Sequence, residues 1–282
     1  MKMNFKERLR SAWNSTDSML CVGLDPAEEK LPAGLSGRPD PFFTFNKAVI
    51  DATLSWAAAY KPQFAHYAAA GRLDELGRTL AYLREVAPDR ILILDAKRGD
   101  IGSTAEKYAA EAFRIYDADA VTVNPYLGGD SLEPFLRDPA RGVFLLCKTS
   151  NPGSADLQDL EVRGGPPLFL EVARRAAAEW NTNANLGLVA GATWPEEIGR
   201  IREAAPELPL LVPGIGAQGG DLAATLAAGL DSEGWGLLLN SSRGILYASS
   251  GSDFAEAAGQ AAKELCEAIR RERNPLRTEG RA

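Results

Sequence analysis

An ammonium stands between two carboxylates in the segment Asp95-Ala96-Lys97-Arg98-Gly99-Asp100, directly behind the apolar run Ile91-Leu92-Ile93-Leu94. On an extended chain, residues two apart point to the same side, so Asp95 and Lys97 are expected to share a face, with Asp100 following in a loop. Two further charges, Asp25 after Gly23-Leu24 and Lys61 after Ala58-Ala59-Tyr60, also sit where apolar runs stop. Charged side chains seldom occupy such places without a partner or a task. A lysine held among carboxylates can stabilise negative charge developing on a nearby carbon and then give that carbon a proton. The same residues could equally form a buried ion-pair network that orients strands. The spacing alone leaves both readings open.

A second group lies late in the chain. Pro213-Gly214-Ile215-Gly216-Ala217-Gln218-Gly219-Gly220-Asp221 and Asn240-Ser241-Ser242-Arg243-Gly244 each follow an apolar run. Glycines let backbone N–H groups approach an anion, a helix N-terminus adds a favourable dipole, and Arg243 offers a forked donor, a combination that suits phosphate. Tight turns with a surface arginine are the alternative. Residues 214–219 also fit Gly-x-Gly-x-x-Gly, the fingerprint of dinucleotide-binding folds. That reading needs the glycines in the first βαβ unit and an acid about 20 residues on, ending the next strand. Here they fall late in the chain and Asp231 precedes the next apolar run, so NAD is not expected. A third, weaker group is Lys148-Thr149-Ser150-Asn151-Pro152-Gly153, whose hydroxyls and amide suit a planar polar ring but also suit an ordinary turn.

The elements that must position these groups are eight apolar runs, at residues 19–24, 59–64, 90–94, 120–124, 143–148, 186–190, 208–212 and 236–240. Each is followed by a segment of helical period; Phe42, Phe45, Val49, Thr53 and Ala57, for example, fall on one stripe. Runs that are apolar throughout predict strands buried on both faces, as in a parallel sheet covered by helices. Eight such units without a composition shift predict a closed (β/α)8 TIM barrel. The 282 residues are close to the roughly 250 typical of that fold, so residues 1–282 are read as a single domain. Within it, 4–14 form an N-terminal helix, 18–272 the barrel, 150–165 a lid loop after the fifth strand, and 274–282 a frayed tail. In such barrels the working face is the carboxyl end of the strands, and the loops after strands 7 and 8 are the usual phosphate site.

Composition narrows the chemistry. With 38 acidic against 31 basic residues and a net charge of −7, neither nucleic acid nor an anionic membrane is expected as the main partner. No stretch reaches the roughly 20 apolar residues that span a bilayer, and residues 1–13 lack a signal-peptide pattern, so a cytoplasmic protein is expected. The single histidine, His66, excludes two-histidine metal sites and reads as a packing residue. Cys21, Cys147 and Cys266 suggest neither a disulfide framework nor a zinc site.

Taken together, these segments resemble the orotidine 5′-phosphate decarboxylase family, in its longer bacterial form (type 2). DAKRGDIGST at 95–104 is similar to the family signature Asp-x-Lys-x-x-Asp-Ile-Gly-x-Thr at full spacing. GLD (23–25), KPQ (61–63), TSNPGS (149–154), PGIGAQGGD (213–221) and NSSRGILYA (240–248) follow in family order, so the likeness runs from about 18 to 250. The resemblance implies decarboxylation to uridine 5′-phosphate, the last step of de novo pyrimidine biosynthesis, by a homodimer without cofactor or metal. It implies Lys97 as proton donor, with Asp95, Asp100 and Lys61 completing the catalytic array. Asp100, Ile101 and Thr104 would serve the neighbouring subunit's site. Asp25 and Lys61 resemble the ribose contacts, Ser150 the pyrimidine contact, and Gln218 and Arg243 the phosphate contacts. Pro213, Gly214 and Ser242 complete the substrate-binding set, and Thr193 is a weaker candidate near the phosphate.

Two rivals remain. A Mg²⁺-dependent decarboxylase or aldolase of keto-sugar phosphates shares the barrel and the Asp-x-Lys-x-x-Asp pattern, but places a metal-binding glutamate where this chain has Lys61, a cation unsuited to holding a metal. A non-catalytic nucleotide-binding barrel would have no use for a carboxylate facing an anionic ligand.

Overall fold

Eight apolar runs become eight parallel strands: β1 (Leu20–Leu24), β2 (Ala59–Pro62), β3 (Ile91–Arg98), β4 (Ala120–Val123), β5 (Gly142–Lys148), β6 (Leu186–Ala190), β7 (Leu210–Pro213) and β8 (Leu237–Ser241). They close into a barrel in sequence order, β8 pairing with β1 through Leu20↔Leu239 and Val22↔Ser241. The computed structural model describes residues 3–35, 37–215 and 220–279. Every residue of β1, β2, β4, β6 and β8 is buried, because helices cover the outer face and side chains fill the interior.

The covering helices are α1 (Phe5–Thr16), α2 (Pro41–Thr53), α3 (Phe64–Ala69), α4 (Leu73–Val86), α5 (Gly102–Ala110) and α6 (Gly129–Leu136). After them come α7 (Leu168–Arg175), α8 (Pro195–Ala204), α9 (Leu222–Gly229), α10 (Arg243–Leu246) and α11 (Phe254–Glu279). The stripe expected on α2 is observed, with Phe42, Phe45, Val49 and Thr53 all buried. Helix α1 begins at a capping box, Asn4 accepting from the Glu7 N–H while the Glu7 side chain accepts from that of Asn4. It closes the amino-terminal mouth of the barrel. Phe5 meets Phe144 edge-on at 5.9 Å, Trp13 stacks on Trp235 at 6.1 Å, and Arg8 pairs with Asp119 just before β4. That end is a packing device, which leaves the carboxyl ends of the strands for chemistry.

Of the tail expected to fray over 274–282, the part through Glu279 is helical in α11, with Pro275 inside it, and residues 280–282 lie outside the described residues. The Arg273 and Arg277 guanidiniums lie 4.4 and 4.9 Å from the Trp235 ring centre, and Arg273, 1% exposed, also bonds Asp17 at 2.7 Å. Cation–π contacts and burial therefore hold the chain around Arg273 and Arg277 in the helix. The segment 150–165, expected to be a lid loop, is a long connection with local structure of its own. It carries a 3₁₀ turn at Pro152–Asp156 and a bridge between Glu161 and Pro167. Lys148 Nζ reaches Asp159 at 2.6 Å, and the Thr149 N–H donates to Gln158 Oε1 at 2.9 Å. Among the described residues, no helix is long and apolar enough to cross a membrane.

Candidate active site

Asp95 is the hub of the site. It is 7% exposed near the end of β3, and its two oxygens accept from four side chains. Lys97 Nζ and Thr122 Oγ1 donate to Oδ1 at 2.7 and 2.8 Å, while Lys61 Nζ and Gln63 Nε2 donate to Oδ2 at 2.9 and 3.2 Å. Asp25 Oδ1 stands 4.0 Å from Lys61 Nζ and, although buried, accepts no hydrogen bond. Lys61 comes from β2, Asp25 follows β1, and Thr122 is on β4, so adjacent strand ends bring the charges together.

The electrostatics follow from burial opposed by pairing. Burial alone would raise the Asp95 carboxyl, but the ammoniums of Lys61 and Lys97 outweigh it and hold the group well below the usual carboxylate range. Burial alone would lower the Lys61 ammonium, but Asp25 and Asp95 outweigh it and hold it above the ordinary lysine value. Asp95→Asn is therefore expected to destabilise the fold by about 3 kcal/mol or more, because it leaves buried Lys61 short of its nearest countercharge. A depressed carboxylate contributes stability above its unfolded value, about 3.9, and that contribution is lost as pH falls through the lower folded value. The Lys61 contribution is complete below about 10.4 and is lost only as pH rises through its raised folded value. Thermal melts of wild type and Asp95→Asn should thus differ by a constant gap between about pH 5 and 9 that narrows in acid. A gap that persists undiminished at the acid end would contradict this pairing.

Beside the hub lies a cavity of about 350 Å³. Asp25, Lys61, Gln63 and Asp95 line one wall; Pro213, Gly214, Ile215, Ser242 and Arg243 line the other. Gly214 takes a left-handed φ of +102°, which a side chain would resist. Gly23 is needed for a different reason: a Cβ there would lie 1.9 Å from Ser242 Oγ. Removing that atom lets the β8 loop sit over β1. Arg243 is exposed at the start of α10, and no carboxylate pairs with it among the described residues. Gln218, expected beside it, lies outside the described residues.

The remaining expected residues are placed as follows. Lys97 is 45% exposed and is not among the residues that line the cavity; its link to that wall is its 2.7 Å bond to Asp95. Its position does not come from simple strand alternation: Lys97 has φ +46°, and the β3–β4 register shifts between Leu94 and Arg98. Asp100 accepts from the Ile101 N–H at 2.8 Å and makes no ion pair among the described residues, so within one chain it is not beside Lys97. Ile101, 59% exposed, and Thr104 face outward. Ser150 is half-buried outside the cavity wall; its backbone packs so tightly on Gly191 that a Cβ there would lie 2.7 Å away. Thr193 donates to the Ser150 carbonyl at 3.3 Å, which ties it to the loop's root rather than to the Arg243 wall. His66 lines the cavity and is bonded through Nδ1 to the Pro26 carbonyl at 3.0 Å.

Sequence reasoning missed Gln63, Thr122 and Lys30. Lys30 lines the same cavity, its Nζ 5.3 Å from the centre of the Tyr247 ring. Thr122 left one trace, as the lone polar residue within Ala120–Val123. Among the described residues, no group of three or more His, Cys, Asp or Glu side chains could hold a metal ion.

Comparisons with known proteins converge on one family. The family model described as "Orotidine 5'-phosphate decarboxylase / HUMPS family" matches residues 18–258. A protein of Azoarcus sp. (strain BH72) named orotidine 5'-phosphate decarboxylase is 54% identical over 267 residues, 95% of this chain and 98% of that protein. The solved OMP decarboxylase of Leishmania donovani superposes with a TM-score of 0.83 at 43% identity, covering 96% of this chain and 99% of that one. The UMP synthase of the same organism gives a TM-score of 0.86 at 44% identity, and the match covers 96% of this chain but 57% of that longer protein. On the family match and 54% identity over nearly the full length of both chains, the chain belongs to the orotidine 5′-phosphate decarboxylase / HUMPS family.

Proposed function

We propose that this chain is a cytoplasmic, single-domain carboxy-lyase that converts orotidine 5′-phosphate to uridine 5′-phosphate and CO₂, the last step of de novo UMP synthesis. The observation that carries this reading is Asp95 clasped by the Lys61 and Lys97 ammoniums at the edge of a cavity whose far wall bears Arg243.

In the reaction the C6–carboxylate bond breaks and its electron pair stays on C6, in an sp² orbital orthogonal to the ring's π system. No Schiff-base sink is available at that carbon, so the protein must stabilise the carbanion directly. The Lys97 ammonium does this electrostatically, transfers a proton from Nζ to C6, and regains one from solvent after CO₂ leaves. Asp95 orients Lys97. Its repulsion of the departing carboxylate, about 4 kcal/mol for unit charges roughly 4 Å apart at an effective dielectric near 20, is secondary. Asp25, whose Oδ1 accepts no hydrogen bond, and Lys61 bind the ribose hydroxyls. Pro213, Gly214, Gln218, Ser242 and Arg243 hold the phosphate. Ser150 meets the pyrimidine when the segment 150–165 closes as a lid, so that phosphate binding energy is used to orient the ring.

Asp100, Ile101 and Thr104 complete the site of a second copy in a homodimer. Supporting this, Ile101, Tyr126, Leu127 and Leu157 are 59, 78, 45 and 56% exposed in the segments after β3, β4 and β5, the loss of apolar contact that a partner would relieve. Mixing inactive Lys97→Ala with inactive Asp100→Ala should restore about a quarter of wild-type activity, since half the random dimers are hybrids with one intact site. No recovery after exchange of subunits would assign Asp100 elsewhere.

The function itself is tested by following the ultraviolet absorbance of orotidine 5′-phosphate in EDTA-containing buffer. Loss of substrate with equimolar uridine 5′-phosphate and CO₂ is expected. Activity only on a keto-sugar phosphate with added Mg²⁺, or tight nucleotide binding with no CO₂, would replace this reading with one of its rivals.

A further inference from the structure

Between Leu94 and Arg98 the β3 chain advances four residues while its partner β4 advances two, from Val121 to Val123. The surplus is taken up as a bulge, and at its tip Lys97 adopts a left-handed φ of +46°. Bulges re-aim side chains, but for a residue with a Cβ this conformation is disfavoured and persists only where the surroundings over-determine it. The bulge also turns the Ala96 and Lys97 N–H groups away from regular ladder pairing.

One side chain answers all of these needs. Thr122 Oγ1 accepts from the Lys97 N–H at 2.9 Å and from the Ala96 N–H at 3.1 Å, and it donates to Asp95 Oδ1 at 2.8 Å. A hydroxyl has one proton and two lone pairs, so Thr122 is fully used by these contacts. It is 1% exposed, within a strand otherwise made of alanine and valine, so no water competes for it. The oxygen it grips on Asp95 is the one that receives the Lys97 ammonium. Backbone and side chain of the same lysine are thereby referred to a single atom on the neighbouring strand.

We propose that Thr122 is a positioning residue for the decarboxylation. Its hydroxyl holds the Lys97 bulge and the Asp95 carboxylate in one geometry, so that the ammonium is aimed before substrate arrives. The proposal rests on the reading of Lys97 as proton donor. Thr122 does not itself line the cavity and contacts none of Pro213, Gly214, Ser242 or Arg243 by a hydrogen bond, so it acts on the chemical step rather than on phosphate binding.

Thr122→Val preserves shape and removes the hydroxyl. Its kcat is expected to fall about 10²-fold, the scale of a 1 Å misplacement of a catalytic group. KM, and the Kd for uridine 5′-phosphate, should move by no more than about threefold, because the phosphate contacts remain. Thr122→Ser should recover most of the lost kcat. If the valine variant fails to fold, Thr122→Cys serves instead: its thiol matches the serine in shape but is a weak donor and acceptor, so kcat should stay well below that of Thr122→Ser. Equal kcat in the serine and cysteine variants, or a valine variant with wild-type kcat, overturns the role of Thr122. A wild-type chain without decarboxylase activity would instead overturn the functional reading, and the two failures are distinguishable in one assay.

Discussion

Lys97→Ala is expected to lower the turnover of orotidine 5′-phosphate at least about 10⁴-fold, combining the loss of a positioned proton donor with the loss of charge stabilisation at C6. The substitution should not unfold the protein. The Lys97 side chain is 45% exposed, so its removal opens no core cavity. Asp95 keeps Lys61, Gln63 and Thr122 as donors, so its buried carboxylate is not orphaned. Binding of uridine 5′-phosphate should remain measurable, since the residues proposed to hold the phosphate are at the ends of β7 and β8. A Lys97→Ala chain with near-normal turnover would remove the proposed donor. No other ammonium in the cluster can replace it without cost, because Lys61 is already committed to Asp95 in a 4%-exposed position.

Arg243→Ala should lower kcat/KM for the phosphorylated substrate about 10²-fold, the effect of losing charge-assisted hydrogen bonds worth about 2–3 kcal/mol. The loss falls short of complete because Lys30, in the same cavity, and the backbone at Gly214 keep some affinity for the anion. The diagnostic is selectivity. Orotidine, which lacks the phosphate, should be turned over by Arg243→Ala and wild type at similar low rates. Equal losses on both compounds would mean that Arg243 does not touch the phosphate. Lys97 lies on β3 and Arg243 follows β8, so the two substitutions should produce different kinetic signatures. Loss at Lys97 appears in kcat with binding retained; loss at Arg243 appears chiefly in affinity and in the orientation that affinity enforces.

The barrel was legible because its signal is coarse. Strands covered on both faces must be apolar throughout, and all eight runs read this way became strands, with ends displaced by a few residues. The charged set was legible for a related reason: Asp25, Lys61 and Asp95 are polar residues at the ends of apolar runs, where a barrel's working face must lie. What escaped notice depends on register. The alternation that was expected to align Asp95 with Lys97 is interrupted by the bulge, and no pattern in Asp-Ala-Lys-Arg announces a left-handed lysine. Thr122 and Gln63 became partners of Asp95 only through strand neighbours far away in sequence, which one-dimensional spacing cannot show. The helical part of the tail depends on Arg277 lying over Trp235, some forty residues earlier, a contact that spacing along the chain does not show.

The central claim is that Lys97 exchanges a proton with C6 of the pyrimidine. It is tested most directly without CO₂, by incubating uridine 5′-phosphate with the enzyme in D₂O and following the C6 hydrogen by NMR. Microscopic reversibility predicts slow replacement by deuterium with wild type and none above background with Lys97→Ala. Exchange at the same rate in both proteins would contradict the account, because the proton would then travel by a route that does not include this lysine.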